Sequence, residues 1–373
     1  MPNYYLFKPD FLSGFTADVF KSFGVPEQDA RQASKVLAKS DIRGIDSHGI
    51  ARLKSYVEMF SIGRLNPTPE ITVVRDRKSV ATVDGDSGLG LVVGPKANEI
   101  AMDKASQHGS GWVSVCNTNH YGIASYYSLQ ALERDMIGWS MTNTSSIVSP
   151  LWGAKSMLGT NPISIAFPGY NNPPIVIDLA TSVVALGKVE IARRQGKPIP
   201  EGWLVNEQGQ DTTNPSDMFK GSLLPLGSTR EMGGHKGYCL SSMVDILCGV
   251  LSGANWGPFV PQFAMYETPP EHSVGKGIGH FFGAMEIDGF DEVEAFKKRI
   301  DQWIEEFRKT PPINGQEAVL IPGDPEHKAE KDRTRNGIPV IQAVIDDLNF
   351  VSATTRVPFD WENACLEVIS GEL

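Results

Sequence analysis

The chain has 373 residues, 41% of them hydrophobic and 21% charged, with a formal net charge of −10. That is enough for a large core and for two domains. The acidic balance argues against nucleic acid or an anionic membrane as a partner. It leaves a small anionic substrate open, because one local cation outweighs a distant surface field. Cys116, Cys239, Cys248 and Cys365 sit at no metal or redox spacing and read as reduced thiols. The opening MPNYYLFKPDFL lacks a basic region followed by an apolar run. No apolar stretch approaches the roughly 18 residues of a membrane span. The expectation is a cytoplasmic protein.

Helical periodicity predicts elements over Asp10–Phe23 and Glu27–Ala38, then a third helix from near Ser47 to Gly63. Asp46 and Ser47 are good N-cap types for that third helix. Its Ile50, Leu53, Val57 and Phe60 form a buried stripe, while His48, Arg52 and Tyr56 recur at i, i+4, i+8 on a second face. An imidazole one turn from a guanidinium suits a small carboxylate substrate. Arg52 grips the anion bidentately, Tyr56 continues the same face, and His48 exchanges a proton with the neighbouring oxygen. Helix neighbours point apart, so Ser47 is expected to orient His48 only through a third group. The prolines of RLNPTPEITVVRD end the helical region and predict a boundary within Thr68–Arg75. This divides a helical domain, residues 1–72, from a sheet domain, residues 73–329, with 330–373 returning to the first.

Ser79–Asp84 reads as a strand followed by Gly88, Gly90 and Gly94. The spacing G-x-G-x-x-x-G is wrong for a dinucleotide fingerprint, and the next strand, Trp112–Cys116, ends in Asn117 rather than an acidic residue. Pro95 is expected to open a helix instead. His120 stands at a strand-to-helix turn, where α/β enzymes keep working groups. Strands at Ile137–Thr142 and Ser164–Phe167 bracket a long polar loop. A strand over Pro174–Ala180 carries Asp178, and Thr181 or Ser182 can cap the helix after it. Gly233–Gly237, with His235 and Lys236, precedes an apolar helix and offers amides and a cation to an anion. A strand over Gly275–Ile287 and a helix over Asp291–Lys309 follow. The mixed-charge run beyond Asp324 reads as solvated surface, and Ile341–Phe350 as a helix returning to the N-terminal ones. No histidine or cysteine pair has metal-ligand spacing, and there is neither a G-x-S-x-G elbow nor a Walker A loop.

DIRGIDSHGIARL, NTNHYGIASYYS, LGTNPISIAFP, IDLATSVVALGKVEIARRQGKPIP, GGHKGYCLSSMVDILCGVLSGA and IPGDPE together resemble the type-2 malate/L-lactate dehydrogenase family. That family includes sulfolactate, ureidoglycolate and diketogulonate dehydrogenases and a piperideine-carboxylate reductase. The resemblance implies an α/β fold of α+β type, with a non-Rossmann, mostly antiparallel cofactor sheet, working as a homodimer. It implies an NAD- or NADP-dependent enzyme that moves a hydride to or from C2 of a small 2-hydroxy or 2-keto carboxylate. His48 would be the proton donor, joined by Ser47, and Arg52 would bind the carboxylate with Thr160 as a further substrate contact. His120, with Tyr121 and Gly122, would lie by the nicotinamide and serve as proton acceptor in some members. Asp178, Leu179, Ala180, His235, Lys236, Gly323 and Asp324 would hold the rest of the cofactor, with no metal. Ile191 and Ala192 stand where some members carry the aspartate of a Ser–His–Asp relay, which leaves that member unassigned. Lys328, Lys331, Arg333 and Arg335 can meet a 2′-phosphate, so NAD and NADP both stay open. Cyclic-imine reduction and a catalytically silent cofactor binder are the alternatives.

Overall fold

The computed structural model describes residues 3–263 and 270–371. It opens with a strand unforeseen in the sequence, β1 (Asn3–Phe7), then α1 (Pro9–Ser22), α2 (Glu27–Ile42) and α3 (Leu53–Ser61). Next come β2 (Thr72–Arg77), β3 (Val80–Gly88), α4 (Gly90–His108), β4 (Ser110–Thr118), α5 (Ala124–Leu132), β5 (Met136–Thr142), β6 (Ile163–Phe167) and β7 (Ile175–Leu179). After α6 (Leu186–Arg194) lie the short strands β8 (Leu204–Val205), β9 (Asp211–Thr212) and β10 (Ser222–Leu223). Then follow α7 (Gly234–Asp245), β11 (Ile278–Glu286), α8 (Val293–Arg308) and α9 (Asp324–Asn336). The chain closes with β12 (Ile338–Ile341), α10 (Gln342–Thr355), α11 (Trp361–Ala364) and β13 (Cys365–Ser370).

Seven strands form the main sheet, in the order β2-β3-β4-β11-β5-β6-β7. Every neighbouring pair is antiparallel except β3–β4, which is parallel because α4 crosses between them. Val83, Val113, Val115 and Phe282 on the face towards α4 and α5 close a core with Val93, Ala97, Tyr121 and Tyr127. A second core joins both chain ends: Phe20, Leu37, Leu53, Tyr56 and Phe60 pack with Ile338, Ile345, Leu348 and Val351. There β1 lies between β12 and β13, antiparallel to both. The long loop after β5 is ordered, with Val148 and Leu158 buried against Leu204 and Leu223 of a small sheet, β10-β8-β9. Among the described residues, no helix is long and apolar enough to cross a membrane.

Three local expectations are corrected and a fourth is qualified. The helix from Ser47 is two 3-10 turns, Asp46–His48 and Ile50–Arg52, and α-helix begins only at Leu53. The break falls at Gly49, where a Cβ would lie 1.8 Å from the Asp41 Oδ1 atom. The buried Asp41 carboxylate fills that space and accepts the Ile50 N–H at 2.7 Å, so a tertiary contact overrides the helical pattern. Pro95 lies inside α4, which starts five residues earlier at Gly90. Neither Thr181 nor Ser182 caps α6: the first donates to the carbonyls of Thr160 and Asn161, the second to that of Val184. The mixed-charge run is α9, which keeps every residue at least partly in solvent and Lys328, Lys331 and Arg335 exposed, while Glu330 and Arg333 tie it to the N-terminal helices.

Candidate active site

His48, Arg52, Tyr56 and His120 meet where α3 faces the turn between β4 and α5. Tyr56 is fully buried, and its hydroxyl lies 2.6 Å from His120 Nδ1. Burial holds the Tyr56 phenol well above its usual range, so it keeps its proton and donates. The Gly122 N–H also points at His120 Nδ1, at 3.4 Å. Two donors on Nδ1 leave the proton of a neutral His120 on Nε2. His120 is neutral because desolvation, then the charges of His48 and Arg52, hold its pKa well below the ordinary value. The ring of Phe263 stacks on it at 4.0 Å, and that of His48 stands 5.7 Å away, nearly parallel.

His48 is half-buried, with Nδ1 2.8 Å from Ser47 Oγ. This direct contact corrects the expectation that the two point apart, which assumed α-helical geometry; the 3-10 turn brings the adjacent side chains together. Burial, with the Arg52 charge adding to it, pushes His48 down to about 4. Arg52 directs Nε at the Ser47 carbonyl, 2.5 Å away, and its guanidinium lies 5.8 Å from the centre of the Phe263 ring. The Nε bond fixes the stem and leaves the outer nitrogens for an anion. A neutral base, an immobilised cation and a neutral second histidine therefore share one centre.

Three of the anticipated cofactor residues share one cleft at the end of β7. Asp178, Leu179 and Gly323 line a cleft of about 380 Å³ with Ser125, Ile321 and Arg43. Asp178 Oδ2 accepts the Ser125 N–H at 3.0 Å at the start of α5, which links this cleft to the His120 turn. Asp324 begins α9 at the same rim, paired with Arg308 at 3.0 Å. Thr160 does not join the His48 group by any direct contact. Its carbonyl accepts from Thr181 N at 2.8 Å, one residue past Ala180, and its N–H donates to Thr144 Oγ1 at 3.0 Å. The Leu226 N–H reaches the Thr181 carbonyl at 2.9 Å, and Gly237 of α7 packs against Leu226. His235 and Lys236 stand at the start of α7, just ahead of Gly237, with His235 Nδ1 2.7 Å from an Arg230 nitrogen.

Sequence reasoning missed two residues that shape this region. Arg43 lines the cleft while its Nη1 holds Glu330 at 3.0 Å, and its only signal was its place just ahead of the Ser47–His48 pair. His280, fully buried, stacks on Tyr121 at 4.6 Å and bonds Thr142 Oγ1 at 2.8 Å; nothing local marked it. Among the described residues, no group of histidine, cysteine and acidic side chains is arranged to hold a metal ion.

The model of the malate/L-lactate dehydrogenase family matches residues 7–349. The malate dehydrogenase of Pyrococcus horikoshii is 43% identical over 357 residues, covering 95% of this chain and 97% of that one. The L-sulfolactate dehydrogenase of Methanocaldococcus jannaschii is 38% identical over 343 residues, covering 92% and 95%. The crystal structure of malate dehydrogenase from Entamoeba histolytica superposes with a TM-score of 0.88 at 31% identity, covering 96% of this chain and 99% of that one. On sequence and on fold alike, this chain belongs to the malate/L-lactate dehydrogenase family.

Proposed function

We propose that the protein is an NAD(P)-dependent oxidoreductase acting at C2 of small 2-hydroxy and 2-keto carboxylates. The observation that carries this reading is the pairing of His48 with Arg52 beside His120, in a chain of this family. Arg52 fixes the substrate carboxylate, which sets the C2 oxygen beside His48. In the oxidative direction, neutral His48 takes the hydroxyl proton, while Ser47 Oγ steadies the ring through Nδ1. In the reductive direction, a protonated His48 returns that proton to the oxygen. His120, locked by Tyr56 and Phe263, walls the site and keeps water from the reacting carbon.

The cleft lined by Asp178, Ser125 and Gly323 has the volume and polarity for a nucleoside-sized group, with a carboxylate to accept from ribose hydroxyls. Asp178, Leu179, Ala180, Gly323 and Asp324 would hold the adenosine side without a Rossmann fingerprint. Tyr121 and Gly122, with His120, would flank the nicotinamide, and His235 and Lys236 would meet phosphate. When bound, the nicotinamide supplies or accepts the hydride. Thr160 serves as a further substrate contact once the carboxylate is seated. The helical unit, residues 1–72 with 330–373, carries His48 and Arg52, and residues 73–329 carry the cofactor cleft. A cytoplasmic homodimer is the assembly this reading expects.

His48→Ala should lower turnover of the best 2-ketoacid by roughly 10²- to 10⁴-fold, the span of a lost acid–base group. Arg52→Lys should raise KM for the ketoacid by roughly 10- to 100-fold, because the planar fork is lost, with the Kd for the reduced cofactor unchanged. Undiminished turnover in the first variant, or a collapse of cofactor binding in the second, would overturn the assigned roles.

A further inference from the structure

The turn that carries Ser47 and His48 has little local structure to hold it. It consists of two 3-10 turns split at Gly49, and neither has a side-chain cap. Asp46 and Ser47 are exposed. A catalytic imidazole on so short a segment needs an outside anchor, since a displacement of about 1 Å can cost 10²-fold in rate.

Two anchors are present, and neither touches the reacting groups. Beneath the turn, the buried Asp41 carboxylate accepts the Ile50 N–H and occupies the space left by Gly49. Across from it, Arg333 of α9 spans the segment. Its Nη1 donates to the Asp41 carbonyl at 2.6 Å and to Asp46 Oδ1, while Nη2 reaches Asp46 Oδ2 at 3.1 Å. One guanidinium thus ties the last turn of α2 to the first residue of the catalytic turn. The Arg333 side chain is 13% exposed and that of Asp46 54%, so solvent screens the pair from the Asp46 side and its bidentate geometry, more than its charge, carries the restraint. One turn earlier on α9, Glu330 binds Lys39 and, at 3.0 Å, Arg43. The two contacts set α9 against α2 at two points and so fix the backbone from which Arg333 reaches the turn.

We propose that Arg333, through Asp46 and the Asp41 carbonyl, is a positioning residue that fixes the Ser47–His48 turn in its reactive geometry. The inference rests on the reading of His48 as the acid–base group. It also removes Arg333 from the cations free to meet a 2′-phosphate. Because α9 starts at Gly323 and Asp324 on the rim of the cofactor cleft, the same helix braces both halves of the site.

The test compares Arg333→Met, Arg333→Lys, Asp46→Asn and the double variant Arg333→Met/Asp46→Asn with the parent chain and with His48→Ala. The 2-ketoacid that the parent turns over fastest is used throughout. Arg333→Met is expected to lower kcat by about 10- to 100-fold with the Kd for NADH or NADPH within about twofold of the parent. Arg333→Lys should recover part of that loss. The double variant should lose no more than the worse single one, because both remove one interaction. Amide hydrogen exchange should rise over residues 45–52 in Arg333→Met while α1 stays protected. Asp46→Asn alters an exposed side chain and keeps the test alive should Arg333→Met not fold. Unchanged kcat with unchanged exchange over 45–52 would overturn the positioning role, as would strictly additive losses. If His48→Ala itself keeps full turnover, the failure lies with the acid–base reading and not with Arg333.

Discussion

His48 carries the chemistry of the account at the scale of one residue, and its environment makes a signed prediction. Burial and the Arg52 charge bring its pKa down from 6.5 to about 4. Reduction of a ketoacid draws on the protonated form, which becomes tenfold scarcer with each pH unit above that value. For reduction, kcat/KM, which reports the free enzyme, should therefore fall about tenfold per unit between pH 6 and 8. Oxidation of the hydroxy acid draws on the neutral form and should show no acid limb down to about pH 5. A bound carboxylate neutralises Arg52, so the limb in kcat should lie at higher pH than the limb in kcat/KM. A reductive profile that is level from pH 6 to 8 would remove His48 as the proton donor. Arg52 and His48 were legible in the sequence as a guanidinium four residues from an imidazole, whereas the effect of the Arg52 charge on the His48 pKa comes only from the folded geometry. The Ser47–His48 contact was not, because it depends on a 3-10 turn that a helical pattern hides.

At the scale of the element, the glycines explain why a tempting fingerprint is absent. Gly90 opens α4 against the turn that carries His120: a Cβ there would lie 2.2 Å from the Asn119 carbonyl and 2.6 Å from that of His120. Gly94 faces the Tyr127 ring with a Cβ distance of 2.7 Å. These residues serve close packing of helix on turn, and their spacing follows from that need rather than from a phosphate. Gly90→Ala should push the His120 turn outward, loosening its 2.6 Å contact with Tyr56. The expected cost is about 1–3 kcal/mol in stability, from overpacking against backbone that cannot retreat. Thermal unfolding together with kcat would check it: an unshifted midpoint and intact kcat would show that the turn tolerates the methyl. The main-sheet strands from β3 onward were readable from β-branched runs, while β12 was not, nor were β1 and β13. Each of these last two is short, lies at a chain end, and has no pairing partner within reach of local pattern; β1 finds its neighbours only among residues 338–341 and 365–370.

At the scale of the whole molecule, contacts between distant parts of the chain complete the site. Tyr56 meets His120 across 64 residues, Asp178 meets Ser125 across 53, and Arg333 meets Asp46 across 287. No single window of sequence contains any of these pairs. The ordered series of motifs carried the family, which the match over residues 7–349 bears out. The sequence pointed to His48, Arg52, Tyr56 and His120, which the fold brings together, but not to how they are braced. The mixed-charge run of α9 shows the limit plainly: charge alternation suggested solvent, and the fold turns two of those charges inward on α2 and the catalytic turn. The most direct measurement is the loss of reduced-nicotinamide absorbance, with NADH and NADPH separately, against pyruvate, oxaloacetate, larger 2-ketoacids and a cyclic imine. Turnover of at least one 2-ketoacid is expected, faster than of the imine. Silence on every ketoacid, with cofactor bound or with the imine alone reduced, would contradict it.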